Sequence, residues 1–225
     1  MSISSNSTVF KLKNARKVII YGVLWFCGVI LFAGIFTPGY SHSRQAISEL
    51  AAPGAPYAGL VQFGGFIPLG LAFIWAAVTM GRSQNPGTFR NAFFVLFILT
   101  GLAIIAAGIF PTDVHGRRTS FSGMTHAIAG LFLLALICLT PLMAALMKSV
   151  FSRGFRIYSL VSGLTLLALF FLLPNGISPA LIQLQKMILG NGFDIWYKYQ
   201  GIDQRMLFLV YFMWLGIFVR WRGEE

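Results

Sequence analysis

Residues 18–36 read VIIYGVLWFCGVILFAGIF, an apolar run with no charged residue in it. A helix needs about 20 such residues to cross the hydrocarbon core of a bilayer, and Val18–Phe36 is long enough. Outward from it the pattern recurs in Ala58–Met80, interrupted by Gln62 and Pro68, in Ala92–Pro111, in Met124–Met147 with Pro141 inside, in Ile157–Leu173 and in Met206–Val219. The last run is short. It reaches spanning length if Ile202–Arg205 supply a first turn, or if Arg220 and Arg222 snorkel to the interface. A helix satisfies its own backbone in lipid. The expected fold is therefore all-α: a polytopic transmembrane bundle of six spans over residues 18–221, with a basic segment 1–17 before it and a tail 222–225 after it.

The composition agrees. Of the 225 residues 57% are apolar and 10% charged, against about 25% charged in soluble domains. The formal charge of +11 would suggest nucleic acid in a soluble protein; here the positive-inside bias accounts for it, so membrane lipids and not nucleic acid are the expected partners. With both termini in the cytoplasm, the inner pieces carry Lys11, Lys13, Arg16, Lys17, Arg82, Arg90, Lys148, Arg153, Arg156, Arg220 and Arg222, which is 11 of the 17 Lys and Arg. The outer pieces carry Arg44, Arg117, Arg118, Lys186, Lys198 and Arg205. The expected location is the cytoplasmic (inner) membrane. Val18–Phe36 has the basic flank of a signal peptide, but it is too long and shows no convincing cleavage site. Cys27 and Cys138 sit mid-run and read as buried small hydrophobes, not a disulfide.

The inner connections, Gly81–Asn91 and Lys148–Arg156, are short basic turns. The outer ones carry the chemistry: His42, His115 and His126 and four of the six acids fall on or near that side. Ser43–Leu50 can form a short helix that sets Gln45 and Glu49 on one face, with Ser43 as its cap. In FPTDVHG, Asp113 either makes a turn or points back toward His126. Asp203 is a candidate N-cap of the last span. Arg205 sits in that span's first turn, against the helix dipole, and asks for an anion: Glu49, Asp113 or a lipid phosphate. In the long segment Asn175–Arg205, Ile177, Leu181, Leu184 and Ile188 suggest an amphipathic helix on the surface, followed by the interfacial aromatics Trp196, Tyr197 and Tyr199. A metal version of the site would use Asp113, His115 and His126, but there is no HExxH, Walker or GxGxxG motif, and neither metal nor cofactor is expected.

Four segments in order, YSHSRQAISELAAPGAPYAGLVQFGG, GIFPTD, the His of GMTHAIAG, and GIDQR before the last span, resemble a bacterial and archaeal membrane family known as domain of unknown function 998. The likeness runs from Val18 to about Val219. It implies a six-helix bundle with no established activity and points to Ser48, Glu49, Pro111, Asp113, His126 and Arg205. Where the family pattern places an acid before that Arg, this chain has Gln204.

The reading that follows is a polar pocket of Ser48, Glu49, Asp113, His126 and Arg205 at the outer leaflet, which holds a lipid headgroup or locks the bundle. A lipid hydrolase or transferase, with a carboxylate or His as base, is the alternative. A small carrier is a third reading, disfavoured because the ionisable groups lie near one end and not at the midplane.

Overall fold

The computed structural model describes residues 3–82, 87–114, 119–172, 179–190 and 198–220. All regular structure among them is helical: α1 (Ile3–Phe36), a 3₁₀ turn (Ile47–Ala51), a π-helical stretch (Leu60–Phe66) running into α2 (Ile67–Arg82), α3 (Thr88–Ile109), α4 (Phe121–Leu146), α5 (Arg153–Leu172), α6 (Pro179–Leu189) and α7 (Gln200–Arg220). Six stretches are long and apolar enough to cross a membrane: Leu12–Phe36, Leu60–Arg82, Arg90–Ile109, Phe121–Leu146, Arg153–Phe171 and Gln200–Arg220. The chain is a multi-pass membrane protein. The first span begins several residues before Val18, because α1 continues upstream without a break. The last gains its length from the first of the two expected sources: residues 200–205 form its opening turns.

Neighbouring helices run up and down, each packed on the next in sequence, and α7 returns between α5 and α1. Lipid supplies no hydrophobic drive for helices to associate, so close packing does. Gly70 of α2 and Gly101 of α3 meet back to back. A Cβ on Gly70 would lie 2.5 Å from the Gly101 carbonyl, and one on Gly101 would lie 2.6 Å from the Gly70 carbonyl. Gly65 similarly faces Val29 and Phe26 of α1, whereas a Cβ on Gly59 would meet nothing. The π stretch leaves irregular backbone at membrane depth, and side chains satisfy it: Trp25 Nε1 donates to the Gly64 carbonyl at 2.7 Å.

The centre is aromatic. On α7, Leu207, Tyr211, Trp214 and Phe218 recur at helical spacing and are buried. Trp214 stacks on Phe218 at 5.4 Å, and Phe218 in turn meets Phe93, Phe97, Phe151 and Phe155. The indole N–H of Trp214 is not orphaned, since it donates to Ser159 Oγ at 2.9 Å. Cys138 is buried as expected. Cys27 is not; it lies on the exposed face of α1. Arg82, Arg90, Lys148, Arg153, Arg156 and Arg220 gather at one end of the bundle, called here the basic end, and the longer connections lie at the other, the loop end. The amphipathic segment forms as α6, with Leu184, Met187 and Ile188 exposed. Ile177, Trp196 and Tyr197 lie outside the described residues.

Candidate functional site

At the loop end the chain leaves α1 through Gly39, whose φ of +74° is open to glycine and costly for most residues, and folds over the start of α7. Local bonds shape the fold-over. Ser41 N–H donates to Gln45 Oε1 at 2.8 Å, and Gln45 N–H to the Ser41 carbonyl at 2.9 Å. The expected helix over Ser43–Leu50 shortens to the 3₁₀ turn Ile47–Ala51, and Glu49 rather than Ser43 closes its start. Glu49 Oε1 accepts from the Ala46 N–H at 2.9 Å, and Oε2 accepts from Gln45 Nε2 at 3.2 Å. Gln45 and Glu49 thus touch as their spacing implied. Ser48 is half-buried beside them.

Three residues of α7 bond to this loop. The Ile202 N–H donates to the Ser43 carbonyl at 3.1 Å. Gln204 Oε1 accepts from the Ile47 N–H at 2.6 Å, a role an acidic side chain would fill equally well, which accounts for Gln in that position. Arg205 is the third. Gly201 makes the approach possible, since a Cβ there would lie 2.5 Å from the Gln45 carbonyl and 2.6 Å from that of His42.

Arg205 is half-buried, and its guanidinium is spread over neutral acceptors. Nη1 donates to the Gln45 carbonyl at 3.0 Å and to the Gly201 carbonyl at 2.8 Å. Nη2 donates to Tyr40 Oη at 2.7 Å and to His42 Nδ1 at 3.2 Å. Tyr40 Oη passes its own proton on to the Ala46 carbonyl at 3.0 Å. Among the described residues no carboxylate lies within ion-pair distance of Arg205, so the expected pairing with Glu49 or Asp113 does not form. Glu49 spends its oxygens on the Ala46 and Gln45 N–H groups instead. Because Arg205 can only donate, His42 Nδ1 accepts and its proton sits on Nε2. That nitrogen is buried and has no partner; the ring rests on Gly34 of α1, where any Cβ would collide with it. Burial, and then the Arg205 charge, hold the His42 pKa below its ordinary value.

A second cluster joins α3 to α4. Asp113 Oδ2 accepts from the backbone N–H groups of Thr119 at 2.8 Å and Ser120 at 3.0 Å, and Oδ1 accepts from Ser120 Oγ. These donors, the Ser120 hydroxyl foremost, hold the Asp113 pKa below the usual carboxylate range. Ser120 then caps α4 by accepting from the Gly123 N–H at 2.9 Å, and Gly123 leaves room for the Asp113 carboxylate. His126 is buried and does not meet Asp113. Its Nδ1 donates to the carbonyls of Phe110 at 2.8 Å and Ala107 at 3.1 Å, the unpaired carbonyls at the end of α3. Ser122 Oγ donates to the Pro111 carbonyl at 2.9 Å.

The expected pocket thus separates into two closures of backbone ends, one built on Glu49 and Arg205 and the other on Asp113 and His126, with no hydrogen bond or ion pair between them among the described residues. No three His, Cys, Asp or Glu side chains converge on a metal-sized site among the described residues, and His115 lies outside them. Asp203 is not the N-cap. It sits inside the first turn of α7, 2% exposed, and its Oδ2 has no hydrogen-bond partner. Tyr40 and the three permissive glycines, Gly34, Gly123 and Gly201, carry roles that the sequence did not assign, and Gln204 stood out there only as a departure from the family pattern.

A family model described as "Protein of unknown function (DUF998)" matches residues 20–221. No curated protein and no solved structure matches the chain.

Proposed function

This chain belongs to the DUF998 family, and from that premise we propose that it is an inner-membrane receptor for an anionic lipid headgroup, held at the outer leaflet by Arg205. The observation that carries the reading is the state of that guanidinium: half-buried, with four N–H groups placed on neutral acceptors and, among the described residues, no carboxylate within ion-pair distance. A half-buried cation without an ion-pair partner at the rim of a bilayer is costly unless an anion meets it, and phosphate is the anion present at that depth. The Nε–H stays available for a charge-assisted bond to a phosphate oxygen. The two carboxylates of the site support a receptor over a hydrolase. A general base needs a free lone pair and a pKa near working pH. Asp113 has a lowered pKa and already accepts from Thr119 and Ser120, and Glu49 is spent on the loop it closes.

A ligand that binds only the native state raises its stability. Thermal melting in neutral detergent, supplemented with phosphatidylglycerol or phosphatidylcholine, tests the reading. Phosphatidylglycerol is expected to raise the melting temperature more than phosphatidylcholine does, and the difference is expected to vanish in Arg205→Gln while surviving in part in Arg205→Lys. Equal effects of both lipids on the native chain would overturn it.

A further inference from the structure

We infer that the bound lipid also inserts one acyl chain between α1 and α7 into the centre of the bundle, so that the ligand is a whole anionic phospholipid and not a free phosphate; this rests on the headgroup reading above. Around the ring of helices, α1 and α7 are the neighbours that touch least. Behind their seam lies an apolar cavity lined by Phe26 of α1, by residues of α2, α3 and α4, and by Phe208, Tyr211 and Phe212 of α7. Its volume is about 10 Å³, a narrow gap between close-packed side chains. Every lining residue is buried except Phe208 and Phe212, which are half-buried. The mouth is therefore at these two rings, stacked 5.8 Å apart.

Phe208 and Phe212 follow Arg205 by three and seven residues, so all three share one stripe of α7. A rise of 1.5 Å per residue sets the Cα atoms of Phe208 and Phe212 about 4.5 and 10 Å below that of Arg205, and the guanidinium reaches a further turn up, to the Gly201 carbonyl. Arg205 reaches His42, whose ring lies on Gly34 of α1, so the stripe faces the α1 seam. A phosphate at Arg205 would start its acyl chain at the top of this seam. Entry of the chain requires Phe208 and Phe212 to swing outward, because the cavity as it stands holds no more than about one water.

Phosphatidylglycerol with a diazirine midway along one acyl chain tests this in nanodiscs, with phosphatidylcholine bearing the same chain as the control. Peptide mapping then reads the labelled residues. Annular lipid reaches the outer faces, but Phe26 is 3% and Leu133 5% exposed, so label there reports a chain inside. The expected result is label on Phe26 or Leu133 from phosphatidylglycerol, and about tenfold less from phosphatidylcholine or in Arg205→Gln. Leu133→Trp, which fills the cavity, should lose this label and keep phosphatidylglycerol bound. Label confined to the outer faces, with phosphatidylglycerol still preferentially retained, would overturn the inserted chain and leave the headgroup reading standing. Loss of that preference as well would defeat both.

Discussion

Arg205 donates from Nη2 to Nδ1 of His42 across 3.2 Å, and that bond decides which imidazole nitrogen carries the proton. A second proton on His42 would break it and set two cations side by side. The folded chain therefore resists protonation of His42, and its pKa is lowered. The unfolded chain binds that proton near the ordinary value of about 6.5. Stability from this site is complete above about 6.5 and is lost as the pH falls below it toward the folded value. Melting of the solubilised protein is expected to weaken between pH 7 and pH 5, and His42→Gln should flatten that slope. An identical slope in the variant would refute the assignment.

Gly201→Ala drives a methyl group against the carbonyls of Gln45 and His42. These are backbone atoms and cannot swing aside, so the loop must lift from α7. A loss of about 1–3 kcal/mol is expected, together with faster proteolysis between Gly39 and Tyr57. Gly216, on the same helix, has nothing within 4 Å of its Cβ position, and Gly216→Ala should leave unfolding free energy unchanged or slightly raised. Similar losses at both positions would mean that the loop does not rest on α7.

Asp203 is a buried carboxylate whose Oδ2 lacks a partner. Such a group costs free energy in the folded state. Asp203→Asn removes the charge at nearly constant volume and is expected to stabilise the chain by about 1 kcal/mol. Denaturation in graded detergent and urea measures this; a clear loss would show that the carboxylate has a partner in the folded chain.

His126→Ala leaves the carbonyls of Ala107 and Phe110 without their donor. A loss of about 1–3 kcal/mol is expected, seen first as faster hydrogen exchange in the last turn of α3. Gln204→Ala removes the acceptor of the Ile47 N–H and should cost about 1 kcal/mol, whereas Gln204→Glu should be tolerated. If Gln204→Glu destabilised the chain as much as Gln204→Ala, the capping role would be wrong.

The six spans were legible because spanning a bilayer is decided within each segment, by length and apolarity alone. The candidate site was legible only as a set of residues. Asp113, His126, Glu49 and Arg205 all do polar work at the loop end, but sequence spacing cannot say whether a charged group will meet another charge or an unpaired backbone group. In each case the backbone won. Helix and loop ends left orphan N–H and C=O groups near lipid, and the nearest polar side chain took them. Glu49 took the Ala46 N–H, and His126 took the end of α3. The π stretch at Leu60–Phe66 left no mark in the hydropathy pattern, because it depends on Trp25 of another helix to satisfy Gly64. Gly201 and Gly123 matter through what lies opposite them, which appears only once the chain is folded.

The account turns on Arg205 as a cation awaiting an anion. Native mass spectrometry of the chain released from nanodiscs of equal parts phosphatidylglycerol and phosphatidylcholine addresses this most directly. The expected result is retention of phosphatidylglycerol over phosphatidylcholine by about tenfold, reduced in Arg205→Lys and abolished in Arg205→Gln. Equal retention of the two lipids by the native chain would contradict it.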